Sequence, residues 1–185
     1  MSRALAFVLA LWTAGAAAQS PPVAGVPLVI GFDAAPVAAG KAGIKDPAGR
    51  FDIVASSKRG PFLYVESPLD GIEPIKGKYL AIRPGTRDSS NVTSIRFGEA
   101  LRSGNVSFDY WVQVPGEHAA EVGCVLSNGS IESRWTGEAV RMGHFGCHAP
   151  EGASIREIRL RTSFRGGVLR IDNIVLWMDR ALAGP

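Results

Sequence analysis

The sequence contains few of the residues and motifs that would identify an enzyme. Histidine occurs three times and cysteine twice in 185 residues. There is no Gly-x-Ser-x-Gly elbow, no His-Glu-x-x-His metal motif and no phosphate-binding loop. These absences favour a binding protein over a catalyst. An enzyme with an unrecognised site, acting on polysaccharide, remains an alternative because carboxylates that meet only in the folded chain leave no local motif.

The chain also lacks a strong charge and a long apolar run. Its formal net charge is +3, which is too small for a general binder of nucleic acid. The apolar run near the N-terminus is too short for a membrane span, and no second run of spanning length follows. His144, Cys147 and His148 lie close together, but the second cysteine pair of a structural zinc site is missing.

The N-terminus has the order of a secretory signal peptide. Arg3 precedes an apolar run from Ala4 to Trp12, and small residues follow at Ala16–Ala18. A buried N-terminal helix is the alternative. We therefore expect a signal peptide over residues 1–18, an extended lead-in over 19–27, a single domain over 28–179 and a tail over 180–185. The expected location is secreted or periplasmic.

The two cysteines suggest one covalent cross-link. In an exported protein an even number of cysteines favours a disulfide, here between Cys124 and Cys147. Two buried free thiols are the alternative.

The secondary-structure signals are those of an all-β protein. The clearest alternation of apolar and polar residues runs from Val106 to Val114 and predicts a strand with one buried face. Asn128-Gly129 predicts a tight hairpin between two further strands. Residues 34–49 are interpreted as a loop, and only Ile95–Ser103 is compatible with a helical turn. Many short strands separated by Gly and Pro turns predict a single-domain antiparallel β-sandwich of jelly-roll type.

The closing apolar run, Val168–Met178, is predicted to be a central strand because it is rich in β-branched residues. Ile171 and Ile174 are an odd number of positions apart, so a regular strand would point them to opposite faces. A β-bulge at Asp172-Asn173 would return both to the core and re-aim a carboxylate.

Three short segments resemble the galactose-binding-like jelly rolls, a group that includes many carbohydrate-binding modules of secreted bacterial proteins. They are Gly31-Phe32-Asp33, the mid-chain strand at 105–112 and the final strand at 171–176. The resemblance implies a non-catalytic module with a carbohydrate ligand. It also implies a structural calcium held by an acidic residue near the first strand and another on the last, here Asp33 and Asp172.

The residues themselves leave the calcium site open. Calcium takes six to eight oxygen ligands, many of them backbone carbonyls, which the Gly-rich loop at 34–49 could supply. The alternative is that Asp33 caps a turn while Asp172 satisfies backbone groups at the bulge.

The candidate ligand site centres on Trp111, which alternation places on the polar face of its strand beside Asp109 and Gln113. An indole there can stack on a sugar while the polar groups bond its hydroxyls. We interpret this face as too polar to be a second core. The alternative is that a loop or a neighbouring chain covers the indole.

Three further residues are weaker candidates for the ligand site. Trp135 follows the hairpin, and Arg159 and Arg161 on a later strand could line the same surface as Trp111 or simply be solvated. If the partner is not carbohydrate, the second hypothesis is a structural or assembly protein of the cell envelope that uses its exposed aromatic residues to bind another protein.

Overall fold

The computed structural model describes residues 8–9, 27–33, 38–41, 43–46, 49–56, 62–66, 77–83, 91–101, 103–113, 120–136, 140–162 and 167–177. These residues form fourteen strands and one 3₁₀ turn at Glu99–Leu101. The strands are β1 (Val8–Leu9), β2 (Pro27–Ile30), β3 (Ala38–Lys41), β4 (Gly43–Lys45), β5 (Phe51–Ala55), β6 (Phe62–Glu66), β7 (Tyr79–Arg83), β8 (Asn91–Phe97), β9 (Asn105–Gln113), β10 (Ala120–Leu126), β11 (Ile131–Trp135), β12 (Val140–His148), β13 (Ile155–Thr162) and β14 (Val168–Trp177). Among the residues so described, no helix is long and apolar enough to cross a membrane.

The strands form two sheets, and the chain is an antiparallel β-sandwich as predicted. The six-stranded sheet has the order β11-β10-β13-β8-β5-β4. In the eight-stranded sheet β14 pairs with β9 along one edge and with β7 and then β2 along the other, while β6 and β3 continue beyond β7 and β12 pairs with β9. The pairings are antiparallel except that of β1 with β2.

The core lies between the inner faces of the two sheets. On β9 the predicted alternation is confirmed, because Val106, Phe108, Tyr110 and Val112 are buried while the intervening side chains are not. Burial of such apolar side chains is the main term that stabilises the folded chain. The remaining side chains of β9 consequently lie on the outer face of the eight-stranded sheet.

The predicted bulge in β14 is confirmed. The register between β14 and β9 shifts between Asp172 and Val175, and Asn173 has φ of 52°. Ile171 and Ile174 are both fully buried. The bulge falls where β14 changes partner from β7 to β2. The extra residue therefore serves the core and also turns Asp172 toward the ends of these two strands.

The predicted disulfide is confirmed as well. Cys124 on β10 and Cys147 on β12 are bonded, with their Cα atoms 6.4 Å apart. Because β10 belongs to the six-stranded sheet and β12 to the eight-stranded sheet, the bond links the two sheets across the core.

One local interpretation of the sequence was confirmed and one was wrong. A helical turn does lie within Ile95–Ser103, as the 3₁₀ turn Glu99–Leu101, and β8 takes up the residues through Phe97. Residues 34–49 include β3 and β4, which are short and rich in glycine and alanine, so they carry little of the β-branched signal that marks a strand.

Candidate functional site

Trp111 lies in a row of side chains that crosses the outer face of the eight-stranded sheet. The register of β12, β9, β14, β7 and β6 places five residues side by side. We call this set the Trp111 row: Met142, Trp111, Arg170, Ala81 and Tyr64. Met142 at one end is half exposed, and Trp111 is partly buried.

Arg170 is the main neighbour of the Trp111 indole. Its guanidinium carbon lies 4.2 Å from the centroid of the Trp111 ring and 5.6 Å from that of Tyr79. One terminal nitrogen donates to Gln113 Oε1 at 3.3 Å. Arg170 is only 5% exposed, and none of the carboxylates in the described residues forms an ion pair with it. Stacking on aromatic rings thus takes the place of an acidic partner.

Two donors in the Trp111 row are buried without a hydrogen-bond acceptor. Within the described residues, neither Trp111 Nε1 nor Arg170 Nε has a partner. Buried polar groups are almost always hydrogen-bonded, to protein, water or ligand. Both atoms are enclosed by the protein, so the two donors remain unsatisfied beneath the surface of this face.

The outer face carries a small apolar cluster, so the expectation that it is not a second core was wrong. Tyr79, Ala81 and Val168 are buried there, with Tyr64 and Trp111 packed against them. The alternation along β9 shows only Ser107, Asp109 and Gln113 beside Trp111. The apolar neighbours come from β7 and β14, whose place in the sheet depends on long-range pairing.

A network of charged groups flanks the tyrosines of this cluster. Arg83 forms an ion pair with Glu66 at 2.5 Å, and the Tyr79 hydroxyl donates to the other Glu66 oxygen at 3.1 Å. The Arg83 guanidinium also lies 5.1 Å from the Tyr64 ring centroid. Burial raises the pKa of Tyr79, so its hydroxyl keeps its proton as a donor. The rings are therefore held in place by polar contacts at their rim.

Asp109 lies on the same face and is already engaged. Its Oδ2 accepts from Asn173 Nδ2 at 2.9 Å, and its Oδ1 lies 2.8 Å from His144 Nδ1. The side chain of His144 is 60% exposed. A ligand on this face would therefore meet the His144 ring together with Asp109.

Asp172 and Asp33 converge at the bulge. Asp172 is 2% exposed, and burial raises the pKa of its carboxyl to about 7, with the charges of Asp33 and Asp109 acting in the same direction. The backbone N–H of Asn173 opposes this shift. Asp33 accepts from the backbone N–H of Lys78 at 2.8 Å. The two carboxylates are therefore near enough for the charge of Asp33 to act on the buried carboxyl of Asp172.

The predicted pairing of Arg159 and Arg161 with Trp111 on one surface was wrong. Both arginines are on β13, in the six-stranded sheet, so they lie on the opposite side of the sandwich. Trp135 is in the same sheet, where its backbone pairs with Glu121, and its side chain lies outside the described residues. The structure brings together Trp111, Gln113 and Asp109 on one face, and Asp33 with Asp172 at the bulge.

Sequence reasoning missed four residues of the larger face: Arg170, Tyr64, Tyr79 and Trp177. Arg170 had a readable signal, since it is a lone charge between Leu169 and Ile171 in the most apolar strand. A charge in such a position is usually engaged by specific partners. Trp177 ends the same strand and is 46% exposed.

Comparison with known proteins identifies the fold. No protein-family model and no curated protein matches the chain. A solved mutant of the family 29 carbohydrate-binding module CBM29-2, in complex with mannohexaose, aligns over 83% of this chain and 92% of its own, with 16% identity and a TM-score of 0.52. Another structure of a family 29 module aligns over 82% and 87%, with 13% identity and a TM-score of 0.50. The chain therefore has a β-sandwich of the carbohydrate-binding-module type, and at these identities the likeness concerns the fold.

Proposed function

We propose that this chain is an exported, non-catalytic module that binds carbohydrate on the outer face of its eight-stranded sheet. The observation that carries the proposal is the partly exposed indole of Trp111, which lies beside Gln113 and Asp109 on the outer face of the sheet. Sugars offer both of the features that such a site needs. Their hydroxyl oxygens accept hydrogen bonds, and their C–H faces pack on aromatic rings.

The surroundings of Trp111 suit a neutral polar ligand. Gln113, Asp109 and His144 provide donors and acceptors around the ring, and Asp109 is oriented by Asn173. The similarity in fold to carbohydrate-binding modules, one of them solved with mannohexaose, supports the same ligand class. Apolar surface with a few oriented polar groups is the usual composition of a small-ligand site.

The test is binding of residues 19–185 to a glycan array, followed by calorimetry on the best ligand. Trp111→Ala should lower the affinity by about a hundredfold, which corresponds to roughly 2.7 kcal/mol. Ile131→Ala, a half-exposed apolar residue in the other sheet, is the matched control and should bind as the wild type does. If no glycan binds, or if both variants bind equally well, the proposal fails.

An envelope assembly protein that binds another protein is the second candidate. Met142, half exposed beside Trp111 on the outermost described strand of its sheet, favours this role because it extends the apolar surface. Met142→Lys tests this second role. It should abolish capture of a protein partner from envelope extracts.

We propose further that Asp33 and Asp172 hold a calcium ion. The donors fit a hard cation in kind, because a buried carboxylate whose pKa is raised to about 7 and a second carboxylate beside it leave a negative charge that calcium would neutralise. No group of three or more His, Cys, Asp or Glu side chains gathers anywhere in the described ranges. Backbone carbonyls would have to complete the oxygen set.

Export is proposed from residues 1–18, and the disulfide between Cys124 and Cys147 supports it because such bonds persist in oxidising compartments. Amino-terminal sequencing of protein recovered from the periplasm or medium should begin near Gln19. A start at Met1 would contradict the proposal.

A further inference from the structure

Trp177 is an exposed aromatic residue that the site around Trp111 does not use. It ends β14, and the register pairs it with Asn105 on β9 and Pro27 on β2, while Asn105 pairs with His148 on β12. We call this set the Trp177 row. The indole is 46% exposed, although a large apolar side chain gains free energy from burial. An exposed indole of this kind can serve as a stacking surface for a ligand.

The Trp177 row is held rigidly. The Ser103 hydroxyl lies 2.5 Å from the carbonyl oxygen of Trp177 and 2.6 Å from that of Asn105. Asn105 Oδ1 is also 2.6 Å from His148 Nδ1. The contact fixes the Asn105 and His148 side chains against each other in the row that Trp177 ends. An aromatic platform with fixed polar neighbours is therefore present a second time on this face.

The two rows lie on the same face of the same sheet. They are separated along β9 by six residues, from Asn105 to Trp111, or about 20 Å at 3.4 Å per residue. Between them lie His144 beside Asp109, and then Gly146 beside Ser107. Gly146 has no side chain, so this part of the face is low. Between the rows the residues of β12 and β9 are therefore mostly small or polar, apart from the exposed His144 ring, and Val175 of β14 lies beside Ser107.

We propose that one extended carbohydrate chain spans both rows, with Trp177 as a second stacking subsite. The inference rests on the proposed function, and it specifies the ligand class as an oligosaccharide or polysaccharide of several sugar units running along β9. A single terminal sugar would reach only one of the two rows. Asp109 is engaged by Asn173 and His144, so the middle of the path offers hydrogen bonds to hydroxyls.

The test is a chain-length series measured by calorimetry with β-1,4-linked manno- and gluco-oligosaccharides from one to six units. In the wild type, affinity should rise with length up to the longest chains. Trp177→Ala should lower the affinity for the hexasaccharide about tenfold, which corresponds to roughly 1.4 kcal/mol for one aromatic contact. It should leave the affinity for the disaccharide unchanged. Trp111→Ala should weaken every length.

Two further variants keep the result clear. Trp177→Tyr preserves a stacking ring and should retain most of the hexasaccharide affinity, while Ile131→Ala should change nothing. If Trp111→Ala weakens binding but Trp177→Ala has no effect at any length, the second subsite is wrong and the proposed function stands. If none of these oligosaccharides binds, neither the proposed ligand class nor the subsite holds.

Discussion

The two outer faces of the sandwich differ in how their polar groups are satisfied. On the six-stranded sheet, Arg96 lies 3.4 Å from Glu157, Ser94 donates to the same Glu157 at 2.6 Å, and Arg161 lies 3.8 Å from Glu121. On the eight-stranded sheet, Arg170 is buried against aromatic rings and leaves one donor without an acceptor. One face carries ion pairs at its surface, and the other buries an arginine against aromatic rings.

The shapes of the two faces support the same distinction. The six-stranded sheet has a groove of about 290 Å³, lined by Val54, Ala55 and Val92 together with serine and charged side chains. The described side chains that line it include no aromatic ring. The other face carries tyrosine and tryptophan over a buried alanine, Ala81. A groove alone is therefore a weaker sign of ligand binding than an aromatic ring beside unsatisfied donors.

The largest expected effect concerns the disulfide that links the two sheets across the core. Replacing Cys124 and Cys147 by serine should lower the free energy of unfolding by about 3 kcal/mol, because the unfolded chain then regains the freedom that a closed loop of this size removes. Urea titration of residues 19–185 measures the change. Equal stability of the variant and the wild type would show that packing in the core holds the two sheets together without the disulfide.

Calcium should stabilise the eight-stranded sheet at the bulge. A metal that binds only the folded chain at a hundred times its dissociation constant adds about 2.7 kcal/mol. We therefore expect the melting temperature of the wild type to rise with millimolar calcium. Asp172→Asn keeps the shape of the side chain but removes its charge, so it should be more stable than the wild type in chelator and insensitive to calcium. A calcium response in that variant would contradict the site.

Arg170→Met sharpens the contrast between the faces. Methionine keeps the length of the side chain and can pack against Trp111 and Tyr79, and replacing a buried charge by an apolar residue is often neutral or stabilising. We expect an unchanged or higher melting temperature together with about tenfold weaker glycan binding, since a charged donor is worth about 1.5–3 kcal/mol.

The matched control for Arg170→Met is Arg159→Met on the opposite face. It should change neither the melting temperature nor glycan affinity. If Arg170→Met lowers stability while binding is retained, the guanidinium serves the fold alone.

The sequence predicted orientation within a strand better than the position of a strand in the sheets. The alternation of β9 placed Trp111 on an outer face, and the spacing of Ile171 and Ile174 predicted the bulge, because both follow from the period of two. The same period placed Arg159 and Arg161 outward on β13. The sheet to which β13 belongs, however, is determined by its pairing with β8 and β10, and no local sequence pattern encodes that pairing.

The candidate site was predictable only in part for the same reason. Trp111, Asp109 and Gln113 share one strand and could be predicted together. Arg170 and Tyr79 join them through the pairing of β14 with β9 on one edge and β7 on the other. Because the aromatic cluster is assembled from several strands, its residues have no regular spacing in the sequence.

The smallest expected effect is at the ion pair of Arg161 and Glu121. Both side chains are partly exposed, 44% and 24%, and their closest atoms are 3.8 Å apart, so solvent screens the attraction. Exposed pairs of this kind contribute up to about 1 kcal/mol and often nothing measurable. Arg161→Ala should therefore shift the melting temperature by at most a degree or two and leave glycan affinity at the wild-type value. If it weakened glycan binding as strongly as Trp111→Ala does, the six-stranded sheet would be the ligand face and the assignment of roles to the two faces would have to be reversed.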